Sequence, residues 1–307
     1  MYYQVKTEFI DIAPYLGNEF RRKVDSCCNW LTLELNIPLK GRVPEYIKHI
    51  QLYERFRGCF CDEMYYCLQS FSEINQIVKL KEYLSDNREK EFLETIKKSI
   101  SGVAFKNKIN KEGNDDARNF LFELSIASEI KKLGVDIDLS SRADIVFNNE
   151  NVLVECKRVR SKNKLIARIK EAIEQSAEDV GDNGKLFVFV DVTEFFDDSK
   201  TIAVVNETDH PLAIAFLMSE AELREVFESK MEDVSRAFIR SHVEKIQNLC
   251  VGNVSGVVIN YNAVGFHISA IKEEMVLGNI KYLVSNKELP DKNCFGGYFN
   301  GFKKFEI

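Results

Sequence analysis

The segment Asp144–Lys157, Asp-Ile-Val-Phe-Asn-Asn-Glu-Asn-Val-Leu-Val-Glu-Cys-Lys, constrains the fold more than any other part of the chain. Apolar residues alternate on either side of a polar turn, the pattern of two short antiparallel strands. Ile145, Phe147, Val152, Val154 and Cys156 share the face directed at an apolar core, and Asp144, Val146, Leu153, Glu155 and Lys157 share the other. A turn centred between Asn149 and Glu150 pairs Phe147 with Val152 and sets Asp144 opposite Glu155. A bulge would break that register.

Opposed side chains in such a pair sit about 4.5–5.5 Å apart at Cβ, and like charges there repel. Two carboxylates so placed call for a cation. An oxygen-rich site with positions left for water suits a hard divalent ion, Mg²⁺ or Mn²⁺. Lys157, two residues beyond Glu155, lies on the same side. A metal beside a lysine can orient a water and stabilise the charge that develops on a phosphate. The alternative for the same residues is a hairpin with solvated charges.

Asp144 and Glu155-Cys156-Lys157 resemble the motif of the PD-(D/E)xK nuclease superfamily, as its first acid and its (D/E)-x-K; Ala143 stands where the name-giving proline would be. The flanking pattern extends the resemblance. A helix is expected from about Asp115 to Leu133, with Asn114 as N-cap and Gly134 as its stop. Glu123 falls on its apolar side among Phe120, Leu124, Ala127 and Ile130. Either something neutralises that carboxylate, or it reaches water from the edge of the stripe. The superfamily carries a Glu on the helix before its first strand, and Glu123 in Phe-Glu-Leu-Ser-Ile-Ala matches it.

Strands are expected at 135–139, 144–147 and 152–157, then a helix over about 165–180 and a buried strand at 186–192. From Lys157 through Lys170 there are seven basic residues and no acid. The run reads as a solvated loop and helix start, or as a phosphate track formed by Arg158, Arg160, Lys162, Lys164 and Arg168. On the following helix Arg168, Ala172, Gln175 and Asp179 fall along one side, with Ile166, Ile169, Ile173 and Ala177 on the other. In many relatives a Gln on this helix lies near the site, and Gln175 looks like that residue.

The resemblance thus implies an α/β fold with a restriction-endonuclease-like αβββαβ core, a mixed central sheet flanked by helices. The expected organisation is a mainly helical region at 1–105, the core at 106–200, and an α/β extension at 201–307. In the first region Trp30–Ile37 alternates like a strand, and helices are expected within 44–70, 74–84 and 89–100. In the last, Thr201–Val205 reads as an added strand, Ser219-Glu-Ala-Glu222 as a capping box opening a long helix, and Gly256–Tyr261 as a buried strand. The eight cysteines read as buried reduced thiols of a cytoplasmic protein, with Cys59, Cys61 and Cys67 weighed as zinc ligands. No apolar run reaches the ~20 residues that span a bilayer, so no membrane role is expected. There is no phosphate-binding Walker loop, and His210, His242 and His267 fit no nucleophilic triad. A net charge of −6 excludes a uniformly basic surface but not a local basic groove.

The expected function is that of a Mg²⁺- or Mn²⁺-dependent nuclease, favouring DNA, in restriction or antiviral (antiphage) defence. Asp144, Glu155 and Glu123 would bind metal and Lys157 would position the attacking water. A homodimer or a protein partner would engage the helical N-terminal region. The alternative is a catalytically inactive module of the same fold that binds nucleic acid or a protein partner.

Overall fold

Segments rich in β-branched and aromatic residues bury both faces when packed side by side, and in this chain they make the centre of a sheet. The computed structural model describes residues 2–11, 18–56, 62–105, 115–139, 143–147, 151–181, 183–196, 203–205, 220–268, 273–286 and 297–305. Its packing divides the chain into two units, residues 13–134 and residues 1–12 with 135–307.

The first unit is helical: α1 (Asn18–Asn29), α2 (Arg42–Gln51), α3 (Tyr53–Phe56), α4 (Asp62–Leu84), α5 (Lys90–Ser99) and α6 (Asp116–Lys132). Trp30–Glu34, expected as part of a strand, instead continues α1 as a π-helical turn, closed by Leu35 N–H donating to the Trp30 carbonyl at 3.0 Å. The apparent alternation misleads because Trp30, Leu31 and Leu35 share one buried helical side while Leu33 is 77% exposed. Gly134 ends α6 with φ +79°, as its sequence position implies. Asn114 lies outside the described residues, and Asp115 takes the N-cap position.

Buried charge ties this unit together. Glu73 of α4 accepts from Arg118 Nε at 2.8 Å and pairs with Arg42 at 3.3 Å. Arg118 also donates to Asp115 at 2.7 Å, to the Tyr46 hydroxyl at 3.0 Å and to the Ala104 carbonyl. Arg42 donates to the carbonyls of Ser99 and Ala117. Two guanidinium groups are tolerated in the interior because carboxylates and carbonyls surround them.

The second unit holds nine described strands: β1 (Tyr2–Asp11), β2 (Ile137–Asp138), β3 (Ile145–Phe147), β4 (Val152–Arg158), β5 (Lys185–Asp191), β6 (Ala203–Val205), β7 (Val254–Ile268), β8 (Glu273–Ser285) and β9 (Lys303–Phe305). Their order is β2-β3-β4-β5-β7-β8-β1-β9, with β6 beside the end of β7. β4, β5 and β7 are parallel neighbours, β6 is parallel to β7, and the remaining pairs are antiparallel. The chain is therefore α/β with a mixed sheet. The expected 106–200 and 201–307 segments share this sheet, whereas α6 packs with the other helices. β1 departs from the expected helical start: it pairs with β8 from Tyr2↔Ser285 to Asp11↔Val276. Its partner lies at the opposite end of the chain, where no local pattern could reveal it.

Helices α7 (Leu165–Ser176) and α8 (Glu220–Gln247) belong to this unit. Leu165, Ile169 and Ala172 of α7, and Phe238, Ile239, Val243 and Ile246 of α8, share one core with Leu153, Val188, Val190, Val257 and Ile259 of the sheet. On the other face Phe187 and Phe189 pack on Phe299 and Tyr298, with ring centroids 5.6 and 5.7 Å apart. Among the described residues no helix is long and apolar enough to cross a membrane.

Removing the carboxylate at the centre of the helical unit leaves Arg42 and Arg118 buried and undercompensated. Glu73→Ala is expected to lower the unfolding free energy of the full chain by about 3–5 kcal/mol, read from urea denaturation.

Candidate active site

The β3–β4 hairpin follows the expected register. Phe147 opposes Val152, Val146 opposes Leu153 and Ile145 opposes Val154, so one step further Asp144 comes opposite Glu155. The turn at 148–150 lies outside the described residues. Ile145, Phe147, Val152, Val154 and Cys156 are buried, as their alternation implies. The second face is buried too at Leu153 and Glu155, because α7 covers it. Glu155 is only 6% exposed.

The ladder ends at Ile145↔Val154, and the Asp144 side chain extends it: Oδ2 accepts the Cys156 N–H at 2.7 Å. Glu155 is held at both oxygens. Lys157 Nζ donates to Oε1 at 2.6 Å, and Ser176 Oγ of α7 donates to Oε2 at 3.2 Å. Lys157 keeps 20% of its side chain exposed. Burial, and next the charge of Glu155, push the Asp144 carboxyl up to about 7; the Cys156 N–H and the Lys157 ammonium oppose that rise. Asp144 and Glu155 thus feel one another as like charges.

The donor set is two carboxylates, one ammonium and one hydroxyl. Among the described residues no three His, Cys, Asp or Glu side chains group to hold a metal ion. Two carboxylates nevertheless match the way Mg²⁺ binds in phosphate chemistry, where one or two carboxylates share the ion with waters and substrate oxygens. Glu123 sits half-buried midway along α6, in the helical unit.

Helix α7 is rotated from the expectation. Its buried side is Leu165, Ile169, Ala172 and Ser176, a clean i, i+4, i+7, i+11 series. Gln175 is exposed, and Arg168 is exposed and paired with Glu171 at 2.5 Å. The residue that meets Glu155 is therefore Ser176, one position beyond Gln175. A polar residue closing an otherwise apolar series is the signal that could have found it.

The basic run does not lie along one face. Strand alternation turns Arg158 to the face opposite Lys157. There it is buried, with Nε 2.9 Å from Asp191 Oδ2 and Nη2 2.8 Å from Glu194 Oε1. Arg158, expected as a phosphate ligand, is here engaged by two carboxylates of its own chain. Arg160 lies 3.7 Å from Glu194, and Lys162 sits over the Phe196 ring at 5.3 Å. Lys164 and Lys170 are exposed.

Of the other candidates, Cys59, Cys61 and His210 lie outside the described residues. Cys67 is buried and donates to the His49 carbonyl at 2.9 Å. His242 packs on Phe238 with ring centroids 4.4 Å apart.

Two outcomes follow from this geometry. Folded Asp144 keeps its proton up to about pH 7, whereas the unfolded chain loses it near 3.8. The proton's stabilising contribution is therefore complete at low pH and lost as pH rises through 7. In the presence of chelator, wild type should lose melting temperature between pH 5 and 8 relative to Asp144→Asn. Arg158→Ala should cost about 3–5 kcal/mol by removing the nearest cation from Asp191 and Glu194, whereas exposed Lys164→Ala should change stability by about 0.5 kcal/mol or less; denaturant unfolding measures both. Compared with protein-family models, curated proteins and solved structures, the chain has no match.

Proposed function

We propose that this protein is a metal-dependent nuclease of the PD-(D/E)xK type, built on a restriction-endonuclease-like core, that hydrolyses phosphodiester bonds with DNA as the favoured substrate. The observation that carries the reading is the hairpin register, which opposes Asp144 to Glu155 and puts Lys157 on the same carboxylate. The chain order α6-β2-β3-β4-α7-β5 supports it, since it matches the αβββαβ order that the resemblance implies.

Asp144 and Glu155 would hold Mg²⁺ or Mn²⁺. Bound there, the ion would supply Lewis acidity to the phosphate and a more acidic water. The chain's own residues do the rest. Glu155 anchors the Lys157 ammonium at 2.6 Å, and Lys157 offers its donors to the attacking water and to the phosphate oxygens as negative charge builds. The water oxygen forms the new bond to phosphorus as the bond to the leaving 3′ oxygen breaks; the water gives one proton to solvent and the 3′ oxygen takes one up, giving a 5′-phosphate, as the resemblance implies, and a 3′-hydroxyl. Near-neutral Asp144 must lose its proton to act as a ligand, so metal binding and activity rise with pH towards 8. Lys164 and Lys170, exposed beyond the active strand, provide sequence-independent phosphate contacts. Restriction or antiphage defence in the cytoplasm, as a homodimer or with a protein partner on the helical unit, is the setting we propose.

A second reading is a module of the same fold that binds nucleic acid or a protein partner without cutting it. It is favoured by one observation: both Glu155 oxygens already accept hydrogen bonds.

Plasmid, linear and single-stranded DNA and RNA, incubated with Mg²⁺ or Mn²⁺, separate the two. The nuclease reading expects metal-dependent cleavage that falls about 100-fold or more in Glu155→Ala and Lys157→Ala. A folded wild type that cuts none of these substrates, and takes up no Mn²⁺ by calorimetry, would overturn it. Glu123→Gln in the same assay tests the carboxylate that the resemblance assigns to the helix before the first strand.

A further inference from the structure

The end of α7 carries a buried hydroxyl that the expected site did not include. Ser176 is 1% exposed, and its Oγ donates to Glu155 Oε2 at 3.2 Å. Serines and threonines in helices commonly turn the hydroxyl back to the carbonyl four residues earlier. Ser70 and Ser235 of this protein do so, at 2.6 and 2.7 Å, and Ser235 also reaches the Tyr282 hydroxyl. The Ser176 hydroxyl goes across to a carboxylate of the sheet.

The backbone beneath it is well held. The Ser176 carbonyl accepts the N–H groups of Asp179 and Val180 at 3.1 and 3.2 Å, closing the turn that follows the helix. Leu165, Ile169 and Ala172, all fully buried, seat the same side of α7 in the core it shares with the sheet. The other donor to Glu155 is the partly exposed ammonium of a long flexible side chain, Lys157. Of the two donors, Ser176 is the one with a short side chain on a packed helix.

We propose that Ser176 is a positioning residue: it fixes the plane of the Glu155 carboxylate and so sets how that carboxylate presents its remaining lone pairs to a divalent cation. This role rests on the nuclease reading given above. Carboxylates that bind metals depend on such outer hydrogen bonds, and their loss typically weakens metal binding about 10–100-fold.

The test is Mn²⁺ titration calorimetry on the full chain, with melting temperatures in chelator and steady-state cleavage of plasmid DNA. Ser176→Ala removes the donor, and Ser176→Cys replaces it with a weak donor of similar size, separating hydrogen bonding from packing. Both variants are expected to bind Mn²⁺ about tenfold more weakly or worse and to lose kcat with little change in KM for DNA. The Cys variant should melt within a few degrees of wild type in chelator. If wild type binds Mn²⁺ and cuts DNA but the Cys variant binds it within about twofold as tightly, the positioning role is wrong and the nuclease reading stands. If wild type neither binds Mn²⁺ nor cuts, the inference falls with that reading.

Discussion

The site depends on the pairing register of one short hairpin. Three paired positions, Ile145↔Val154, Val146↔Leu153 and Phe147↔Val152, decide that the next residues in line are both acids. Side chains alternate along a strand, so a slip of one residue would send Asp144 or Glu155 to the opposite face. What prevents the slip is burial: the strand that slipped would take its inward pair, Ile145 and Phe147 or Val152 and Val154, out of the core. The apolar side of the hairpin thus holds together two carboxylates that repel each other.

Repulsion of that kind needs compensation, and the surroundings supply it unevenly. Glu155 receives an ammonium and a hydroxyl, while Asp144 receives one backbone N–H and a carboxyl pushed up to about 7. Asp144 is the member that holds its proton near neutrality, as expected where a buried carboxyl faces a like charge. The same rule governs charge elsewhere in the molecule. Arg158 is buried only with Asp191 and Glu194, and Arg42 and Arg118 only with Glu73 and Asp115. In each place the buried ion is set against opposite charge, and Arg42 and Arg118 also meet carbonyl oxygens.

Helix α7 joins these local features to the sheet. It connects parallel neighbours β4 and β5, so it must lie across a sheet face, and its apolar series seats it over Glu155. That covering makes Glu155 a buried acid and not a surface one. It also replaces Gln175 with Ser176 as the contacting residue, because the inward series is Leu165, Ile169, Ala172 and Ser176, turned by about 60° from the expected side.

Periodicity along the chain by itself determined the hairpin, its register and its opposed acids, together with α6, α7, the buried β5 and the long α8. Each of these is encoded by neighbours within a few residues, through alternation, helical spacing or a stop such as Gly134. Tertiary structure alone decided the rest. β1 is a strand because β8 offers it a partner from the far end of the chain, and Trp30–Glu34 is helical because its buried side packs that way. Arg158 is a pairing residue because Asp191 and Glu194 arrive from another strand and the turn after it. Ser176, silent as a small polar residue in a helix, acquires its role because packing brings it within 3.2 Å of Glu155. Contacts between residues distant in sequence leave no local periodicity to read, since the energy that selects them comes from burial and charge pairing in the assembled fold.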